Sequence, residues 1–461
     1  MKNKIYPPEI IRVARLKKHL KQSKKSRYKT RKKKAQKAIA DAAKNKITSQ
    51  PLYFKDADFC NELINSPTNL SQSKSLKSYK LKLPKKFDIF RAPEIALRKV
   101  FELRDALLRP ELETIRVDHS QVRQNSLGSE ALLGILASEI VSYRHEMELS
   151  EEGARKLDVY GRFPKSDSVR QIVDSIGLVR ELSDPDFEDA SEHKHIDNLH
   201  FFRADNRFFE TVSIKDDKKR KVAEDCVEHL EKCLNSHQLT IKEEARKRLA
   251  ACLGEVLDNA NEHCCRTRSV WYVRSYFNDT NGRSLELMVL NLGNSIAENF
   301  EALSEDSKIK AIAESYVQRH ITEQPSSSLL TVAALQGNIS SKSDKDPTRG
   351  QGSVTLIETF ESIYNDYCIL RKKKGEVQEC AEMNLISGDT VVSFDGRYHS
   401  LVMDNADGSE SFQMAFNPQQ SLQFPPDKSS VYTMNEVFLP GLMINIRIPL
   451  KGSTEPLEET V

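Results

Sequence analysis

A chain of 461 residues exceeds one ordinary core, so two or three domains are expected. At 38% hydrophobic and 30% charged it reads as globular. No apolar run approaches the roughly 20 residues of a membrane span, since the best candidate, Ala131 to Ala137, is broken by Ser138 and Glu139. The net charge of +3 hides an asymmetry, with 18 Lys and Arg against only Glu9 and Asp41 in residues 1–50 and an acidic excess beyond them.

A basic arm on an acidic body predicts a polyanionic partner, nucleic acid or an acidic protein, or a contact with the body itself. The basic N-terminus has no apolar segment behind it and does not read as a secretory signal. Eight cysteines without a C-x-x-C pair point to a reducing, cytoplasmic setting. Cys226, His229 and Cys233 share a helical face near His263, Cys264 and Cys265. That set reads either as a zinc shell or as small apolar residues packed in helices.

In chain order, the arm from Pro8 to about Lys46 is helix-competent, and the polar stretch Asn65 to Ser75 reads as a linker. From Leu81 to Arg203 short apolar strands alternate with helical patterns, an α/β signature. Thr114–Val117 is a predicted strand, followed by a helix through Ala131–Ala137 and a strand at Val159-Tyr160. Ser168–Gly177 is a predicted helix closed by its glycine. Asp184–Asp189 reads as an acidic surface loop. The boundaries expected are 1–80 for arm and linker, 81–205 for this α/β domain and 206–461 for a third domain. That third domain runs as two helices, a hairpin, a partly flexible helical insert, another helix and several strands. A mixed sheet covered by helices on one face fits that order. The last ten residues read as a free acidic tail.

Three segments carry chemistry. Thr240-Ile-Lys-Glu243 fits a capping box that opens a helix with the apolar stripe Ala245, Leu249, Cys252, Leu253, Val256 and Ala260. Glu255 and Asn259, four residues apart on that helix, project from one side at the edge of the stripe. A carboxylate there suits a general base, and an amide oxygen is a hard ligand for Mg²⁺. Next comes a predicted hairpin, Val270–Phe277 and Leu285–Leu290, around the turn Asn281-Gly282. It ends in Asn291-Leu-Gly293-Asn-Ser295. Finally Arg349-Gly350-Gln351-Gly352 runs straight into a helix, whose free N–H groups and dipole suit phosphates. Between these, Gln324–Ser328 and Ser340–Pro347 read as mobile and suit a lid, with Lys342 and Lys345 as candidate lid contacts or simply solvated.

In this order the segments resemble the nucleotide-binding boxes of the GHKL ATPases, the superfamily of gyrase, MutL and the sensor histidine kinases. The final strand Gly441–Pro449 resembles the closing strand of the same fold, a two-layer α/β sandwich of the Bergerat type. The resemblance implies ATP and Mg²⁺. It makes Glu255 the base that activates the attacking group and Asn259 the metal ligand. Asn291 and Gly293 would then meet the base, and Arg349, Gly350, Gln351 and Gly352 the phosphates. The family carries Asp-x-Gly-x-Gly at the second box. Here Asn291 replaces the aspartate and Ser295 the second glycine, which leaves guanine as well as adenine open.

Residues 81–205 resemble a STAS domain, the fold of the anti-anti-sigma factors, over Asn125–Leu133 and Ser168–Leu178. That resemblance places Ser126 at the family's phosphorylatable serine, and a helix cap is the alternative reading. Three functions follow. One is an ATP-hydrolysing switch in which lid closure or homodimerisation alters partner binding. Another is an anti-sigma-type serine kinase acting on a STAS domain. The last is a non-enzymatic scaffold that binds nucleic acid through residues 1–50. Lone Trp271 and sparse aromatics argue against an extended base-stacking platform.

Overall fold

A computed structural model describes residues 77–109, 111–150, 157–183, 191–196, 199–205, 212–235, 239–240, 243, 246, 247, 249–251, 253, 254, 257, 270–278, 284–336, 357, 358, 360, 361, 365, 381–404, 410–449 and 455–456. All of them belong to one compact unit, Tyr53–Val461. The arm, the linker and the acidic loop lie outside the described residues.

The N-terminal part opens with β1 (Ser78–Lys82), β2 (Lys86–Phe87) and helix α1 (Pro93–Leu107). There follow β3 (Thr114–Asp118), β4 (Gln124–Asn125), α2 (Leu127–Ser150), β5 (Asp158–Arg162), α3 (Asp167–Ser175) and α4 (Leu178–Ser183). Strands β1, β3 and β5 form a parallel sheet in that order, and β2 pairs with β4. The strand–helix alternation thus forms the α/β domain expected, with its strands parallel. Gly177 is not in a positive-φ conformation. A Cβ there would crowd Glu130 of α2, so this glycine serves a close helix approach, not a left-handed helix end.

A second sheet of eight strands runs β15-β12-β11-β16-β10-β9-β7-β6. Its members are β6 (Ser191–Ile196), β7 (Leu199–Asp205), β9 (Val270–Asn278), β10 (Ser284–Leu292), β11 (Glu382–Gly388), β12 (Thr390–Phe394), β15 (Val431–Thr433) and β16 (Leu439–Pro449). Every pairing in it is antiparallel, in contrast to the mixed sheet expected. Strands β6 and β7 lie before residue 206 yet complete this sheet, so the boundary expected at 205 falls inside a structural layer. Minor pairs are β13 (Leu401–Asp404) with β14 (Glu410–Gln413), and β8 (Leu239–Thr240) with β17 (Glu455–Pro456). The last pairing ties down part of the segment expected to be a free tail.

Both faces of the large sheet are covered. Along β10, Leu285, Leu287 and Val289 enter one core, and Met288, Leu290 and Leu292 enter the other. The first core is closed by α5 (Val212–Asn235), α6 (Ile296–Glu301), α7 (Lys308–His320), α8 (Ser326–Ala334) and the described helical residues Leu249, Leu253 and Leu257. The second holds the N-terminal layer. Every residue from Ser126 to Ile140 is buried, because α2 lies between the parallel sheet and the large one. Four polar residues of that stretch of the helix, Ser129, Glu130, Ser138 and Glu139, are buried there with the apolar ones. The molecule is thus mixed α/β around a large antiparallel sheet, with its second face covered by the N-terminal layer.

Candidate nucleotide site

Of the residues expected to bind nucleotide, Asn291 and Gly293 are described. Glu255, Asn259, Lys342, Lys345, Arg349, Gly350, Gln351 and Gly352 lie outside the described residues. Around them, Leu249, Leu253 and Leu257 are buried at helical spacing, and Ile357 and Phe360 are helical and buried. These residues join the same core, which is the core that Val289 and Trp271 enter.

Asn291 stands near the end of β10, in register with Trp271 on β9 and Leu442 on β16. It is 4% exposed. By strand alternation it shares the face of Leu287 and Val289, the face on which the first-box helix packs. The chain then turns at Gly293, whose φ of 154° favours glycine.

Ser295, where the family pattern has a second glycine, caps α6. Its Oγ accepts the Glu298 N–H at 3.2 Å, and the Glu298 carboxylate accepts the Ser295 N–H at 2.6 Å. The departure from Asp-x-Gly-x-Gly therefore has a local cause, a reciprocal capping box. Beyond it, Ile296 N–H donates to Ser387 Oγ at 2.9 Å, and that hydroxyl donates to the Gly441 carbonyl at 2.7 Å. Gly441, at φ 103°, has no room for a Cβ, which would collide with the Asn291 carbonyl oxygen. Gly388, at φ 61°, lies against Ser295. The ends of β10, β11 and β16 are thus drawn together around the second box by Gly388, Ser387 and Gly441. No reading of the boxes had singled these out. A glycine at the start of an apolar strand was the signal available for Gly441.

The lid reading fails for Gln324–Ser328. Gln324 is buried and its Nε2 donates to the carbonyls of Pro426 and Val431, both at 3.2 Å. Ser326–Ser328 begin α8 directly after Pro325. Ser340–Pro347 lies outside the described residues.

No relative locates this site by precedent. No family model, no curated protein and no solved structure matches the chain.

On the opposite face of β10 sits a polar cluster that sequence reasoning missed. Glu286 accepts Arg447 Nε–H at 2.8 Å, the Leu127 N–H at 2.7 Å and Tyr276 O–H at 3.3 Å. Burial raises its carboxyl above the usual range, and Arg447 opposes that shift. Arg447 also reaches Glu382 at 3.3 Å and Asp88 at 3.7 Å. Ser126, the candidate phospho-acceptor, lies beside this cluster and is fully buried. Its Oγ accepts the Ile89 N–H at 2.8 Å and lies 2.7 Å from Ser129 Oγ at the start of α2. That is the geometry of a buried helix cap, and in this fold the hydroxyl faces no solvent.

In the same core as the first-box helix, Cys226 packs among apolar residues. Burial pushes its thiol up to about 12. No cluster of three or more metal-ligating side chains occurs among the described residues. Likewise, no helix among them is long and apolar enough to cross a membrane.

Proposed function

We propose that this chain is an ATP-binding, ATP-hydrolysing switch of the GHKL type, working with Mg²⁺. One observation supports the reading most strongly. The strand bearing Asn291 and the described helical residues beside the first and third boxes share one core on one face of the sheet. Described residues that flank boxes far apart in the sequence thereby pack on one face, as a single ligand bound by all three would require.

On this reading Glu255 orients the attacking water and Asn259 ligates the metal. The glycines of 349–352 admit phosphate oxygens to backbone N–H groups. Asn291 accepts from, or donates to, the base edge, so adenine against guanine preference rests on how its amide is turned. Phosphoryl transfer asks little more of a protein than such positioning and charge neutralisation. With Ser126 buried as a cap, hydrolysis is favoured over transfer to that serine. The N-terminal layer packs on the other face of β10, so the strand that carries Asn291 touches both the site and that layer.

The test is equilibrium binding of a fluorescent ATP analogue with and without Mg²⁺, repeated with GTP as competitor. Binding that needs Mg²⁺ and drops at least tenfold in Asn259→Ala supports the reading. Absence of binding at millimolar nucleotide, in a chain whose folding is verified by circular dichroism, overturns it.

A further inference from the structure

The parallel sheet β1-β3-β5 covers α2 with one face only. Its inner rows are apolar, with Leu81, Ile115 and Val117 fully buried and Val159 packed against them. The outer rows follow from the register. Lys80, Arg116 and Tyr160 stand side by side, as do Lys82, Asp118 and Arg162. Side chains of one such row share a face, with strands about 4.8 Å apart.

That outer face is basic. Lys80 lies 2.8 Å from Asp118 and balances it. Lys82, Arg116 and Arg162 are exposed and form no ion pair with a described carboxylate. Beyond the carboxyl ends of the strands stand further exposed cations, Lys85, Lys86, Arg123 and Lys165. Asp158 is the only other acid in these outer rows, and it sits at the opposite end of β5.

Two aromatic rings sit within this charge. Tyr160, halfway along the edge strand β5, is 54% exposed, although nothing in a solvated parallel strand requires a tyrosine there. Phe163, just beyond β5, is 36% exposed, and the Arg170 guanidinium lies over its ring at 4.8 Å. By contrast Trp271 is buried and takes no part.

We infer that this face binds single-stranded nucleic acid. The cations neutralise phosphates, and the exposed ring of Tyr160 presents a π-face to an unstacked base, with the Arg170-covered ring of Phe163 just beyond the strand. Cations alone would serve any polyanion. The two rings among them favour a ligand that alternates anionic and aromatic groups. The surface is built from other residues than the candidate nucleotide site.

The experiment uses the full chain and a fluorescein-labelled 20-mer of oligo(dT), followed by anisotropy across a salt series, with a duplex of the same length as comparison. Arg116→Glu with Arg162→Glu should weaken single-strand binding at least tenfold and lower the salt slope by about 1.4, two phosphate contacts at ~0.7 each. Tyr160→Ala should weaken the single strand about tenfold and the duplex little, and Tyr160→Phe should restore binding. A 4-thiothymidine oligonucleotide should crosslink to the peptide carrying Tyr160 and Phe163. Crosslinks confined to residues 1–50, with affinity unchanged in the charge-reversed chain, would overturn the inference. So would equal losses for single strand and duplex in Tyr160→Ala, which would leave a general polyanion patch.

Discussion

Glu286 and Arg447 stand opposite one another on β10 and β16, 2.8 Å apart, beneath the first residue of α2. The Leu127 N–H donates to the same carboxylate, so one buried acid joins both sheet strands to the N-terminal layer. The arrangement also sets Glu286 and Asn291 on opposite faces of a single strand, one towards α2 and the other towards the candidate nucleotide site.

Removing Glu286 takes from Arg447 its nearest carboxylate, with Glu382 and Asp88 still in reach, and leaves the Leu127 N–H and the Tyr276 hydroxyl without this acceptor. Glu286→Ala should therefore cost about 3 kcal/mol or more in urea denaturation. Replacing both partners together, with Glu286→Leu and Arg447→Met, should recover much of that loss. Equal, additive losses in the single and double variants would show that the pair has no coupling.

Gly441 holds the strand end beside Asn291. Gly441→Ala must relieve both its positive φ and the collision with the Asn291 carbonyl. A cost of roughly 2 kcal/mol or more is expected. Because Asn291 is the group displaced, nucleotide affinity should fall as well. An alanine variant as stable as the parent would contradict the geometry described at this strand end.

Much of this was legible in the residues. The alternation of Val270–Phe277 and the turn at Asn281-Gly282 announce β9 and β10, and the Thr114–Val117 strand and the long helix after it stand where expected. The covering of both sheet faces was legible in principle. Leu285 to Leu290 is nearly continuous in apolar residues, the mark of a strand buried on two sides. What escaped were contacts between distant segments. Gln324 to Ser328 has loop-like composition, yet the Gln324 amide is held by carbonyls about a hundred residues away. Glu286 and Arg447, 161 residues apart, likewise carry no mark of their pairing until the strand register sets them opposite each other.

Ser126 offers a clean separation of roles. As a buried cap it should cost about 1–2 kcal/mol when changed to alanine. Incubation of the chain with labelled ATP should leave the peptide containing Ser126 unlabelled. Stoichiometric phosphate on that residue in mass spectrometry would mean that α2 opens readily, and the kinase reading would return.

Cys226 supplies a pH dependence. Its thiol is raised to about 12 in the folded chain by burial, with the Asp225 carboxylate adding to the shift. The neutral form is the one the fold favours. This contribution is fully present below the unfolded thiol's pKa and is lost as pH rises towards the folded value, at up to about 1.4 kcal/mol per pH unit. Stability measured between pH 8.5 and 10.5 should decline less steeply in Cys226→Ala than in the parent. Native-state iodoacetamide labelling at pH 8, mapped by peptide, should spare Cys226. Rapid labelling would refute its burial.

On the proposed function the chain hydrolyses ATP with Glu255 as base. The deciding measurement is release of phosphate from γ-labelled ATP by the full chain and by Glu255→Ala. Label should appear as free phosphate with the parent, fall at least a hundredfold in the variant, and require Mg²⁺. Equal release by both proteins, or none from a parent that binds nucleotide, would contradict it.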